Sequence, residues 1–446
     1  MTPLIVPTGL VSSSQRRARP CHNPVKPAQP PPASELTSHS SVKIREAGVP
    51  RYPSLMVQLD SAHDDTFRDK ATWMHCGVPT WAWEFPELHL LKNDVAPSPE
   101  AGGPRYRELF RTACSLRCLE YLWAGSEEDY TAFVRGQPSR RTTLTKERFR
   151  SLHHWVKNIL VDDSGLMGMR YLMLVHDAGK CAAVVKMTQD AGLDWTDHDD
   201  LLRCVMKTPR LQTALLPNLG VLGEGKSVLV RDVLGLECNL GQVMQGEAPA
   251  GVLLGWDGVG SHVRDWYLVH LLLDLAGVKA SDGRVGATAL TLPVVDEFTD
   301  LAEAMGSGET AAGMDRYGCY LSLRATVLGL SERVADADLV AVTRLALMLQ
   351  VMDAAGAESV CASWEGADPE TRAVLRRELG RDGVSVHAFL PYYGPAFMRV
   401  TAQKAGIRAA MDGLAARLGR ARAAMGEPEP GITNLDFRQE ALGVRS

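Results

Sequence analysis

Apolar residues recur along most of the chain with the 3.6-residue period of a helix. Residues 146–160 carry Phe149, Leu152, Val156, Ile159 and Leu160 on one stripe. Residues 166–178 and 266–276 are apolar nearly all round, the mark of buried helices. Asp197 is placed to cap a helix containing Leu201, Leu202, Val205 and Met206. Helices are expected at 106–123, 128–135, 317–329, 336–352, 369–379 and 396–425. Asp368-Pro369-Glu370 sets a sharp start for one of them, with a cap, a proline at the first position and an acid in the first turn. Strand signals are few and short, so the fold class is mainly α. The stretch 75–91, with two Trp and two Pro, reads as a packed loop.

Composition divides this picture. The chain has 446 residues and a formal net charge of -5. Residues 1–45 hold six bases and one acid, and eight of the 25 prolines fall within residues 1–32. That leader cannot bury enough apolar surface to fold alone. Its Ser, Pro and Arg bias has the character of an organelle transit peptide, with a solvated tail as the alternative. The expected organisation is a basic leader over 1–45, an irregular and helical region over 46–143, a helical domain over 144–280, a C-terminal helical region over 281–426 and a tail over 427–446. The acidic body gives no reason to expect nucleic acid or an anionic membrane as a partner, and no run of 18 apolar residues is present. Nine scattered cysteines with no CxxC pair fit a reducing, intracellular setting: cytoplasm, mitochondrion or plastid.

Candidate chemistry centres on Met173-Leu-Val-His176-Asp177-Ala-Gly179-Lys180. A buried carboxylate needs a partner or a metal, and His176 and Asp177 can both reach one ion at a helix end. On the preceding helix, with Phe149 at 0°, His153 falls near ~40°, at the edge of the apolar stripe, and His154 near ~140°, away from it. Asp274 is the acid on the greasiest part of the 266–276 helix, with His270 one turn before it. Asp353 is its rival. His198-Asp199-Asp200 is a further candidate, with a helix cap as the plainer reading.

His176-Asp177-x-Gly179-Lys180 after an apolar helix resembles the signature of the HD-domain superfamily. The resemblance covers about residues 145–280. It implies an HD-like helical bundle with an extra helical C-terminal region. It also implies a divalent Mn²⁺, Fe²⁺ or Mg²⁺ ion held by His153, His176, Asp177 and Asp274. The activity implied is metal-dependent hydrolysis of a small phosphorylated substrate, a nucleotide among the options, with Asp177 and Lys180 as catalytic groups. The wide spacing from His176 to Asp274 then implies an inserted loop at about 208–260. Two other readings stand beside it: a degenerate helical scaffold or binding protein, and a nucleotide binder built on Gly220-Val-Leu-Gly-Glu-Gly-Lys226-Ser227, which fits the phosphate-cradling P-loop pattern. The second needs a buried strand before Gly220 and a helix after Ser227. The basic residues of the 401–425 helix suit an acidic partner or a solvated face.

Overall fold

A computed structural model describes residues 73–92, 107–195, 197–280, 285–306 and 312–443, and the basic leader lies outside them. The fold is mainly α. In chain order the first helices are α1 (Arg107–Ala124), α2 (Glu127–Phe133), α3 (Lys146–Leu160), α4 (Asp163–Val175), α5 (Ala182–Asp190) and α6 (His198–Lys207). Next come α7 (Pro209–Leu215), α8 (Glu224–Leu234), α9 (Leu240–Met244) and α10 (Ser261–Gly277). The C-terminal part adds α11 (Leu292–Gly306), α12 (Gly313–Val327), α13 (Asp336–Met348), α14 (Ala354–Glu365) and α15 (Pro369–Leu379). It closes with α16 (Gly394–Ala405), α17 (Ile407–Met425) and α18 (Arg438–Gly443). The strands among the described residues, β1 (Ala388–Leu390) and β2 (Ile432–Asn434), pair in parallel.

Local chemistry explains the elements that frame the site. The five apolar residues of the α3 stripe are all buried, and Thr145 caps the helix by accepting from Arg148 N. Asp162 caps α4 through a 2.8 Å bond from Gly165 N. Met169 and the buried run Tyr171–Val175 then need neighbours on most sides. They find them in α1, α3, α8 and α10, and α1 lies along α10. A second core in the C-terminal part is built around Leu345, Trp364, Phe389, Phe397, Met411, Leu414 and Phe437.

Several expectations are corrected. The 208–260 segment is helical, not an inserted loop: it holds α7, α8, α9 and 3₁₀ turns at Pro217–Leu222 and Ala250–Trp256. Val228–Arg231 is inside α8 despite the β propensity of its valines, because Leu229, Val230 and Val233 are buried on one helical face. The 396–425 helix is two helices, broken at Gly406, whose φ of 92° lies where residues with a Cβ are strained. The region after 426 is no tail, since Phe437 and Ala441 are buried in the C-terminal core. Helices α11 and α14 lie within the expected 281–426 helical region, at positions not singled out there.

Candidate metal centre

Helix α4 ends at His176, whose backbone N–H still bonds Leu172 O at 3.0 Å. The chain then tightens into a 3₁₀ turn over Ala178–Lys180. This turn places Asp177 and Lys180 on one side, with Lys180 Nζ 2.7 Å from Asp177 Oδ1. Gly179 is required by close approach: a Cβ there would stand 2.1 Å from the His198 carbonyl oxygen. Gly179→Ala is therefore expected to push α6 away from the turn and destabilise the fold by about 2 kcal/mol. Denaturant unfolding monitored by circular dichroism checks this, and an unchanged midpoint would show that the approach relaxes at no cost.

Helix α10 brings Asp274 to the same point. His176 Nε2 lies 3.5 Å from Asp274 Oδ1 and 3.6 Å from Asp177 Oδ2. One ligand atom from each of His176, Asp177 and Asp274 falls within 4.8 Å of the others, the candidate metal cluster among the described residues. His176 Nδ1 pairs with the Met173 carbonyl at 2.7 Å. With the proton on Nδ1 donated to Met173, Nε2 is the ring nitrogen that faces the two carboxylates.

Helix α1 supplies two residues that the sequence did not single out. Arg111 Nη2 donates to Asp274 Oδ1 at 3.2 Å, and its Nη1 lies 3.0 Å from Glu108 Oε2. Lys180 Nζ also reaches Glu108 Oε2 at 3.0 Å. In sequence, Glu108 and Arg111 look like an ordinary i,i+3 pair on a solvated face. Only the docking of α1 on α10 turns them inward.

The electrostatics follow from this packing. Burial disfavours the Asp177 carboxylate, but Lys180, His176 and Arg111 together hold its pKa well below the usual range. Asp274 is likewise held low, by His176 and Arg111 against its burial. Burial opposes the charged form of His176, yet Asp177 and Asp274 raise its pKa on balance. His270 is pushed down to about 4, first by burial and then by His176. Three carboxylates, of Glu108, Asp177 and Asp274, thus face two fixed cations, Arg111 and Lys180. With His176 neutral the cluster keeps one negative charge. It also keeps a buried carboxylate oxygen, Asp177 Oδ2, with no hydrogen-bond partner. That unsatisfied oxygen, Nε2 of His176 and a carboxylate oxygen of Asp274 are atoms that could ligate a divalent cation.

The cluster forms the floor of a cavity of about 520 Å³ lined by residues from α1, α6, α8–α10 and α16. This volume suits a small-molecule ligand. His198 and Asp199 face it, with His198 Nε2 3.2 Å from Asp199 Oδ1. Burial raises the Asp199 pKa. The plainer reading also holds: Asp197 caps the helix, accepting from Asp200 N at 2.9 Å, and Asp199 and Asp200 fall in its first turn. Tyr392, Tyr393 and Arg399 reach the cavity from beyond the expected 144–280 domain. A long-range contribution of that kind leaves no local sequence signal.

Other expected site residues lie elsewhere. His153 does not join the cluster. Its Nδ1 bonds the Leu122 carbonyl at 2.8 Å, and its ring packs against Gly125 at the α1–α2 turn. His154 is exposed against it, with ring centroids 5.0 Å apart. Asp353 caps α14 through Gly356 N at 2.8 Å. The P-loop pattern has no strand before it: Gly220 is in a 3₁₀ turn. Ser227 Oγ donates to the carbonyls of Leu219 and Gly223, and Lys226 lies over the Trp266 ring at 5.2 Å. The basic residues of α17 are largely paired internally, Arg422 with Glu378, Arg417 with Glu440 and Arg408 with Asp368. No described helix is long and apolar enough to cross a membrane.

Comparison with known proteins returns one relationship. Residues 86–416 match the profile of a family of unknown function, DUF6829. No curated protein and no solved structure matches the chain. The matched segment takes in α1, the His176-Asp177 turn, α10 and the cavity wall at Tyr392–Arg399. Because it spans well over half of the chain, this protein belongs to the DUF6829 family.

Proposed function

We propose that the protein is a metal-dependent phosphohydrolase of HD-like type, acting on a small phosphate ester. The observation that carries this reading is the convergence of His176, Asp177 and Asp274 within 4.8 Å at the floor of the cavity. A divalent Mn²⁺, Fe²⁺ or Mg²⁺ ion, when bound there, would polarise a phosphoryl oxygen and make a water more acidic.

The chain's own residues divide the remaining work. His176 Nε2, Asp177 Oδ2 and a carboxylate oxygen of Asp274 would hold the ion. Lys180 keeps Asp177 oriented through its Oδ1, which leaves Oδ2 turned inward. Arg111 steadies Asp274 in the same way. Both cations also stand beside the place where phosphoryl charge develops, and fixed positive groups stabilise such charge without reorganising. A divalent ion would change the cluster's formal charge from -1 to +1, which favours an anionic substrate.

The test is the metal content of purified protein after loading with Mn²⁺ and removal of free ion, measured by mass spectrometry. Wild type is expected to retain stoichiometric metal and to hydrolyse p-nitrophenyl phosphate or a member of a nucleotide panel. Asp177→Ala is expected to lose both. Wild type that retains no ion after loading with Mn²⁺, Fe²⁺ or Mg²⁺ defeats the reading.

A further inference from the structure

His270 is the least satisfied polar group near the cluster. Both of its ring nitrogens are shielded from solvent, and neither has a hydrogen-bond partner. An imidazole has one donor and one acceptor even when neutral, and leaving both unmade in a buried place costs several kcal/mol. Native interiors rarely carry such a deficit unless a partner is still to arrive. The surroundings say where that partner would sit. His270 is one turn before Asp274 on α10, so the two side chains share a face. Its ring meets the edge of His176, with centroids 5.2 Å apart. It also lines the cavity whose floor is the cluster.

Resting on the metal-site reading above, we infer that His270 is the fourth protein ligand of that ion, in the place the sequence had given to His153. Its ring nitrogens are outside the three-residue group that already converges. Ligation therefore requires the ring to turn toward His176 and Asp274, and it has no hydrogen bond to surrender in doing so. His153, by contrast, is held by the Leu122 carbonyl near the C-terminal end of α1, eleven residues beyond Arg111. The resulting set is two imidazoles and two carboxylates drawn from only two segments, the 176–177 turn and α10. It suits Mn²⁺ or Fe²⁺ better than an all-oxygen site would.

The test uses the full chain and Mn²⁺ alone. Pulsed electron paramagnetic resonance of bound Mn²⁺ is expected to detect two imidazole nitrogens in wild type and in His198→Asn, and one in His270→Asn. Mn²⁺ affinity by calorimetry is expected to fall roughly 100-fold or more in His270→Asn, beyond what loss of an outer partner causes. His153→Ala is expected to bind Mn²⁺ as wild type does. A single nitrogen in wild type, or unchanged affinity in His270→Asn, overturns the inference while leaving the metal site standing. Wild type that binds no Mn²⁺ overturns both. If His270→Asn does not fold, the nitrogen count in wild type and His198→Asn still decides the question.

Discussion

Arg344→Met is expected to destabilise the chain by about 3–5 kcal/mol, read as a lower denaturant midpoint. Arg344, on α13, is 1% exposed. Its guanidinium is held by three carbonyls: Nε donates to Gly246 O at 2.9 Å, Nη2 to Glu247 O at 2.8 Å and Nη1 to Leu379 O at 2.6 Å. Methionine fills much of the same volume but donates nothing. Three buried acceptors would be stranded at once, each costing about 1–3 kcal/mol, with partial relief from no longer burying a charge. The location matters as much as the sum. Gly246 has a φ of 68°, and a Cβ there would meet the Arg344 carbonyl at 2.6 Å. Arg344 is thus the clamp on a tight turn that runs directly into the cavity wall. Lysine, a single point donor, cannot span three carbonyls, so Arg344→Lys is expected to recover only part of the loss. A midpoint unchanged in Arg344→Met would show that the turn is held by packing alone.

The sequence made some of this molecule legible and hid the rest, for physical reasons. Helix α15 spans Pro369–Leu379, as its proline and first-turn acid predict, because those signals are local; Asp368 sits at the cap position but makes no capping bond and pairs with Arg408 instead. The buried faces of α3 and α4 were legible from the 3.6-residue period. His176, Asp177 and Asp274 stood out because charged groups inside apolar helices require partners, and the structure brings these three together. Helical phase misplaced His153 because it tells which face is buried and not what that face meets. His153 does point inward, but toward the Leu122 carbonyl. Arg111 and Glu108 failed to stand out for the opposite reason: an i,i+3 pair of opposite charges is an ordinary stabilising pair on a helix surface. Tyr393 and Glu247 are 146 positions apart and joined by a 2.7 Å bond. No window along the chain contains both.

That bond leads to the second large effect, a dependence of stability on pH. Glu247 is 5% exposed and lines the cavity. Its Oε1 accepts from the backbone N–H of Tyr393, a residue held at a left-handed φ of 64°. Burial raises the Glu247 pKa from 4.5 to about 7, with the Tyr393 amide and Arg344 only partly offsetting it. The folded chain therefore binds a proton more tightly than the unfolded one between these values. The stability linked to that proton is complete below pH 4.5 and is lost as pH rises through about 7. The shift corresponds to about 3 kcal/mol. Glu247→Gln keeps an oxygen for the Tyr393 amide and removes the ionisation. Its stability relative to wild type is expected to be near zero below pH 4.5 and to grow to about 3 kcal/mol by pH 8. Glu297 offers an independent repeat, since burial raises it too to about 7, on α11. Glu297→Gln is expected to add its own gain over the same window, and the double variant should show the two summed. Asp177 and Asp274 work in the opposite sense: their depressed values mean stability lost as pH falls, in wild type and in these variants alike. The difference between variant and wild type thus isolates each buried glutamate. A Glu247→Gln curve parallel to that of wild type from pH 4.5 to 8 would mean that Glu247 is solvated in solution and that the cavity wall at Tyr393 is open.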